Sequence, residues 1–242
     1  EAIIAPSTAI RDELLGAGYP ADRTLFLANG VPVGPERNDE RHWLARRALA
    51  EVNHDLDVEP HDPVAVYTGR LHEAKGLFEL VQAWPAVVQR FPRAKLWLVG
   101  EGPARDELFE TILDLELRHH IFMPGCFDDV QDLLQAADLF VLSSWSEGLP
   151  NVLREAVACG RPFVSTDVGS VREIADSHGN APFAELVPVG DSAAMAAAIE
   201  RVLRPEYLAI AQSLSCRSWR DTAHDLVSLL RTLRGENCDL AN

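Results

Sequence analysis

Lysine is nearly absent from this chain: of 22 basic residues only Lys75 and Lys95 are lysines, and the rest are arginines. Positive charge is scarce altogether, since 37 acidic residues leave a formal net charge of −15. That balance argues against nucleic acid as a partner, because tracking a phosphate backbone needs a basic face. It leaves room for one small anion, since two cations beside a helix N-terminus outweigh distant, screened charge. A lysine kept in so arginine-rich a chain points to a need for a compact point-charge donor. Long apolar runs are missing too, and no segment approaches the length of a membrane span. The four cysteines, Cys126, Cys159, Cys216 and Cys238, are widely spaced without a C-x-x-C pair. Neither a zinc framework nor a small disulfide scaffold follows from them. With no Asn-x-Ser/Thr sequon either, a reduced, cytoplasmic setting is the expectation.

What is present suits a folded globular chain: hydrophobic residues make up 47% of 242, enough for a substantial core. The first residue is Glu1 rather than Met, followed at once by the strand-like Ala2-Ile3-Ile4-Ala5, so the chain is expected to be cut from something longer. From residue 64 onward short apolar runs alternate with helix-period segments. Strands are expected at Val64–Thr68, Leu96–Val99, Ile121–Met123, Leu139–Leu142, Pro162–Thr166 and Leu186–Val187. Helices are expected between them: Leu77–Phe91 with Leu80, Val81, Trp84 and Val88 on one stripe, Ala104–Leu117, Val130–Ala137 begun by Asp128 or Asp129, Asn151–Cys159, and Ala193–Leu203 capped by Asp191. This βαβα rhythm gives an α/β fold, a Rossmann-like, doubly wound parallel sheet covered on both faces. Ligands of such sheets sit outside the carboxyl ends of the strands, so motifs in strand-to-helix loops are the ones to read for function.

The flanks differ. Residues 1–33 read as a strand, a Ser7-capped helix ending at Gly16 or Gly18, a strand at Leu25–Leu27 and an Asn29-Gly30 turn. Residues 34–63 are charged and proline-bearing, with an amphipathic piece around His42–Val52, and look like a connector. Residues 64–204 form the main domain, and 205–242 hold two C-terminal helices, the second over Trp219–Leu233.

Two loops carry candidate chemistry. In Gly69-Arg70-Leu71-His72-Glu73-Ala74-Lys75-Gly76, between a strand and a helix, Arg70 can fork onto two phosphate oxygens. Lys75 adds a second cation near the helix N-terminus. The plain alternative is an exposed loop with solvated charges. The loop lacks the G-x-x-x-x-G-K-[ST] pattern of a Walker motif. Gly100-Glu101-Gly102-Pro103 is no dinucleotide fingerprint, because Arg105 stands where the third glycine belongs; it either lets backbone approach a ligand or turns the chain. The second loop, Ser146-Glu147-Gly148-Leu149-Pro150-Asn151, leads into a helix carrying Glu155. Glu147 and Glu155 can face one pocket, for acid/base work or for hydrogen bonding to vicinal hydroxyls. Glu155 lies among Val152, Leu153, Ala156, Val157 and Ala158, where a charge needs partners. Asp55-Leu56-Asp57 mimics a metal-binding D-x-D, and His119-His120 a metal pair. The first falls in the polar connector and the second has no third ligand, so neither reads as a metal site.

Taken in order, Gly69-Arg70-x4-Lys75-Gly76, Gly100-Glu101-Gly102-Pro103, Ala137–Ser144, Glu147–Asn151, Glu155-Ala156 and Ala158-x-Gly160-x-Pro162-x-Val164 resemble family four of the retaining glycosyltransferases, the group 1 enzymes of GT-B fold. The likeness covers roughly residues 64–203, chiefly the C-terminal donor-binding domain, and residues 1–33 look like the family's crossing out of its N-terminal domain. The resemblance implies transfer of a hexose from a nucleotide-diphosphate sugar to an acceptor hydroxyl, with retention. By the same resemblance Arg70 and Lys75 hold the diphosphate, Glu155 binds the ribose and Glu147 contacts the sugar. Arg70, Lys75 and Glu147 are then the catalytic set. Gly69 and the backbone of Gly148, Leu149, Pro150 and Asn151 complete the donor site, and the base lies against the loops after Val99 and around Phe122–Gly125. The family works here without metal, and no cofactor is implied beyond the nucleotide-sugar donor itself. The partners implied are an acceptor (a sugar, a lipid-linked sugar or a small molecule) and a missing N-terminal acceptor domain, in the cytoplasm or peripheral at the cytoplasmic membrane face. Gly169-Ser170 departs from the family's usual two glycines, which leaves that loop's conformation open. A non-catalytic nucleotide-sugar-binding or partner-binding domain is the competing reading, with an epimerase or phosphorylase on the same fold as a third.

Overall fold

The computed structural model describes residues 2–32, 38–176, 183–210 and 217–234. Two parallel strands, β1 (Ile3–Ala5) and β2 (Thr24–Phe26), flank helix α1 (Thr8–Gly16). α2 (Asp39–Val52) then leads into the main sheet. That sheet runs β3 (Val64–Thr68), α3 (Leu77–Arg90), β4 (Lys95–Val99), α4 (Arg105–Asp114), β5 (Ile121–Gly125), α5 (Gln131–Ala136), β6 (Leu139–Leu142), α6 (Asn151–Ala158), β7 (Phe163–Thr166), α7 (Val171–Asp176), β8 (Ala184–Val187) and α8 (Ser192–Val202). Its six strands are all parallel, in the order β5-β4-β3-β6-β7-β8. The expected doubly wound α/β sheet is therefore present. The chain winds outward from β3 to β5, returns, and winds the other way from β6, so the switch point lies between β3 and β6. α9 (Pro205–Ile210) and α10 (Trp219–Leu233) follow. Among the described residues no helix is long and apolar enough to cross a membrane.

The central strands form because they are apolar on both faces, as a parallel sheet covered by helices requires. Every residue of β3 and β6 is buried. α3 covers one face with Leu77, Leu80, Val81, Trp84 and Val87 fully buried; each aliphatic side chain hidden this way stabilises the fold by about 1.5–3 kcal/mol. Ser7 caps α1 and Asp191 caps α8, through bonds from the Ile10 and Ala194 backbone N–H groups. Asp129 is the one of its pair that serves α5, accepting from the Gln131 N–H at 2.8 Å. Element boundaries shift from expectation at several places. α4 stops at Asp114 because Glu116 turns the chain at φ 58°. β5 continues through Pro124 to Gly125, and the stretch after Gly169 makes the short helix α7 rather than a loop.

The segment expected as a polar connector is built into the core over its described part. α2 and the 3-10 turn after it bury Ala45, Leu49 and Leu56. Asp55 and Asp57 stay exposed while Leu56 between them is fully buried, so the triplet anchors a turn. Arg46 on α2 is 4% exposed and donates to Asp138 Oδ2 at 2.9 Å. It also bonds to the carbonyls of Ala136 and Asp62. The same Asp138 oxygen accepts from the Val64 N–H at 2.9 Å, which joins the starts of β3 and β6 at the sheet end opposite the candidate loops. Of the cysteines, Cys126 is exposed and Cys159 buried, both unpaired; Cys216, Cys238 and the tail beyond Arg234 lie outside the described residues.

Removing one partner of a buried ion pair strands the other charge. Asp138→Ala is expected to lower the unfolding free energy by about 3–5 kcal/mol in urea titrations. A loss below about 1 kcal/mol would mean that the carbonyls around Arg46 suffice without it.

Candidate donor site at the sheet switch point

The loops that leave β3 and β6 at the switch point are tied to each other before any ligand is considered. Lys75 ends a 3-10 turn, Glu73–Lys75, and Gly76 follows in the left-handed region at φ 59° as the N-cap of α3. A Cβ at Gly76 would stand 2.0 Å from the Ser143 carbonyl oxygen, so only glycine lets the loops meet this closely. Ser143 Oγ donates to the Lys75 carbonyl at 2.8 Å, and the Trp145 N–H donates to the Ala74 carbonyl at 2.9 Å. The charged side chains meet across the same seam. Lys75 Nζ donates to Glu147 Oε1 at 2.6 Å, and Ser144 Oγ donates to that oxygen at 2.6 Å. The Glu147 side chain is 13% exposed and that of Lys75 30%. Tyr67, fully buried at the end of β3, donates its hydroxyl to the Arg70 carbonyl at 3.0 Å. Burial pushes its pKa well above the phenol range, and the negative charge of Glu147 adds to the shift.

A cavity of about 500 Å³ opens over the carboxyl ends of β3, β4 and β5. Gly69 and Arg70 enter it after β3, Gly100 and Glu101 after β4, Cys126 and Phe127 after β5, and Glu155 from α6. Arg70 lies in the loop after β3 and Glu155 on helix α6, as the sequence placed them, and the fold brings both to one cavity. Lys75 and Glu147 are paired with each other beside it and do not line it. Arg70 is exposed, with no ion pair among the described residues. Glu155 is half-buried, and desolvation raises its pKa, with Asp129 adding like-charge repulsion. The Gly100–Pro103 loop does both things left open for it. Gly100 and Glu101 line the cavity, while the Gly69→Val99 and Leu71→Glu101 backbone bonds zip it to the first loop.

The loop from Gly148 to Asn151 ends at the N-terminus of α6, which no side chain caps. Its carbonyls are held from behind. Gly169, at φ 54°, sits so close that a Cβ would stand 1.9 Å from the Glu147 carbonyl oxygen. Ser170, buried at 1% exposure, donates both its N–H and its hydroxyl to the Gly148 carbonyl. The departure from two glycines therefore adds a bond to the loop and leaves the left-handed turn to Gly169. Ser144, Ser170 and Tyr67 carried no sequence signal of a role, since small hydroxyl residues and strand tyrosines are common everywhere. His120 Nδ1 lies 3.1 Å from the Ala94 carbonyl oxygen, and the His119 carbonyl accepts from Lys95 at 2.9 Å, so both pack at the far end of the sheet. Among the described residues no group of three His, Cys, Asp or Glu side chains could hold a metal ion.

Residues 62–205 match the family model described as glycosyl transferases group 1. The chain belongs to that family. Among curated relatives of this group 1 chain, the lipopolysaccharide core biosynthesis glycosyltransferase LpsE of Rhizobium meliloti (strain 1021) is 35% identical over 158 residues, 65% of this chain and 44% of the relative. The putative teichuronic acid biosynthesis glycosyltransferase TuaC of Bacillus subtilis (strain 168) is 36% identical over 188 residues, 75% of this chain and 44% of its own length. The chain thus spans less than half of each of these relatives. The crystal structure of Anabaena Alr3699/HepE in complex with UDP and glucose superposes with a TM-score of 0.76 at 23% identity, over 96% of this chain and 63% of that one. That likeness places the fold with the Rossmann-like GT-B glycosyltransferases.

The raised pKa of Glu155 means that the fold favours its protonated form. Its contribution to stability is present below the ordinary carboxylate range and is lost as pH rises through the raised value. Glu155→Gln is therefore expected to unfold at a higher temperature than the unsubstituted chain near pH ~8, with the difference vanishing near pH ~4. Thermal melts across that range read the sign directly; a lower Tm for the variant at high pH would show that the ionised carboxylate has a stabilising partner.

Proposed function

We propose that this chain is the donor-binding domain of a retaining glycosyltransferase that moves a hexose from a nucleotide-diphosphate sugar to an acceptor hydroxyl. The observation that carries the reading is the convergence of Arg70 and Glu155 on one cavity, with the Lys75–Glu147 pair at its side, at the switch point of the sheet. Here ligands of doubly wound folds bind. Relatives named for lipopolysaccharide core and teichuronic acid biosynthesis, and a like-folded protein holding UDP and glucose, support it.

In this reading Arg70, exposed and free of ion pairs among the described residues, forks onto the diphosphate. Lys75 has three N–H donors and gives one to Glu147. It turns toward the diphosphate when donor arrives, and Glu147 accepts instead from a sugar hydroxyl. Ser144 keeps the Glu147 carboxylate in place through the exchange. Glu155 accepts from the ribose hydroxyls, which favour its ionised form against desolvation. The N–H groups of Gly148, Leu149 and Asn151, at the uncapped start of α6, face the sugar and distal phosphate. As the bond from anomeric carbon to phosphate oxygen breaks, negative charge grows on the leaving diphosphate, and the two cations stabilise it without reorganising. No metal is called for, because they supply the positive charge. The acceptor and the surface that positions it belong to the part of the protein that the relatives have beyond this length.

Calorimetry on the chain with UDP-, GDP- and ADP-sugars tests this. One of them is expected to bind, with affinity unchanged by chelator, and Lys75→Ala is expected to weaken it about ten- to a hundredfold, the worth of one charged hydrogen bond. Unchanged affinity in that variant removes the diphosphate role of Lys75. A strict need for magnesium or manganese overturns the metal-free site.

A further inference from the structure

Two caps meet at the start of α1, and one of them comes from a residue far along the chain. Ser7 Oγ accepts from the Ile10 N–H at 3.2 Å. Glu173 on α7, 165 residues further along the chain, accepts from the Thr8 N–H at 3.1 Å and from the Thr8 hydroxyl at 2.7 Å, both through Oε2. The first turn of α1 is thereby tied to α7. α7 begins directly after Gly169-Ser170, the pair that packs on the Glu147 carbonyl and bonds to the Gly148 carbonyl. Ile10 Cδ1 on α1 lies 3.5 Å from where a Cβ on Gly148 would stand. Gly148 thus meets both Ile10 on α1 and Ser170 before α7, and the Thr8–Glu173 bonds join these two elements.

We propose that Glu173 is a positioning residue of the donor site: by clamping α1 to α7 it fixes the loop that presents Glu147 and Gly148 to the sugar. The inference rests on the donor-site reading and concerns the sugar end of it alone. Arg70 lies on the loop after β3 and Glu155 on α6, and the Thr8–Glu173 bonds involve neither. Loosening it therefore separates two affinities that a general loss of structure would lower together. The energetic gain from a sugar contact depends on the contacting groups being held in place beforehand.

The test uses the full chain and compares UDP-glucose, GDP-mannose and ADP-glucose with UDP, GDP and ADP by calorimetry. The quantity read is the ratio of sugar-nucleotide to diphosphate affinity for the nucleotide that binds. In Glu173→Ala this ratio is expected to fall about tenfold, with diphosphate affinity within about twofold of the unsubstituted chain. Glu173→Gln is expected to restore most of it, because its amide oxygen still accepts from Thr8. Thr8→Ala added to Glu173→Ala is expected to change nothing further, since the two residues act through one contact. An unchanged ratio in Glu173→Ala, or a fall of both affinities together with the melting temperature, overturns the positioning role and leaves the donor-site reading standing. A chain that binds none of the six nucleotides overturns the donor-site reading, and this inference with it.

Discussion

The reversal of winding between β3 and β6 is the constraint on which the rest of this molecule depends. β3 pairs with β4 on one side and β6 on the other, and the loops leaving its carboxyl end and that of β6 run to different layers. A crevice at that point follows from topology alone. Closing the sheet there takes polar work at both ends. Asp138 and Arg46 join the strand starts, and Ser143, Gly76 and the Lys75–Glu147 pair join the loops at the strand ends. The first set is buried, while in the second the Lys75 side chain is 30% exposed.

Charge makes the site distinct from its surroundings. In a chain with a net charge of −15, Arg70 and Lys75 stand five positions apart beside the N-terminus of α3. Lys75 does not wait there unpaired. Its bond to Glu147 pairs the two charges and keeps the glutamate oriented, so neither depends on full solvation. Glu155 stands in the opposite condition, half-buried with its ionised form disfavoured by desolvation and by Asp129.

Much of the fold was legible in the residues. The α3 stripe of Leu80, Val81 and Trp84 and the solid apolar runs of β3 and β6 announce a buried parallel sheet through local periodicity, and the order of glycine-bearing loops marks where ligands go. The connector was misread because α2 carries so much charge: Arg46 and His42 look solvated in sequence, yet both are buried beside Asp138. A buried arginine is indistinguishable from a surface one until its carbonyl and carboxylate partners are folded around it. α7 was missed for a related reason, since six residues are too few for a periodic signal.

By itself the sequence determined most of the strands and helices of the main sheet, that the sheet is parallel, and that Arg70, Lys75 and Glu147 lie in strand-to-helix loops with Glu155 on the helix that follows. These follow from hydrophobic period and turn chemistry, which act over a few residues. Only the tertiary structure decided which of those groups meet. It set Lys75 on Glu147, 72 residues away, put Arg70 and Glu155 in one cavity, and brought Glu173 to Thr8 across 165 residues. Partner choice between distant polar groups depends on strand order and on the closeness of loops that only glycine permits, and no local pattern of residues encodes either.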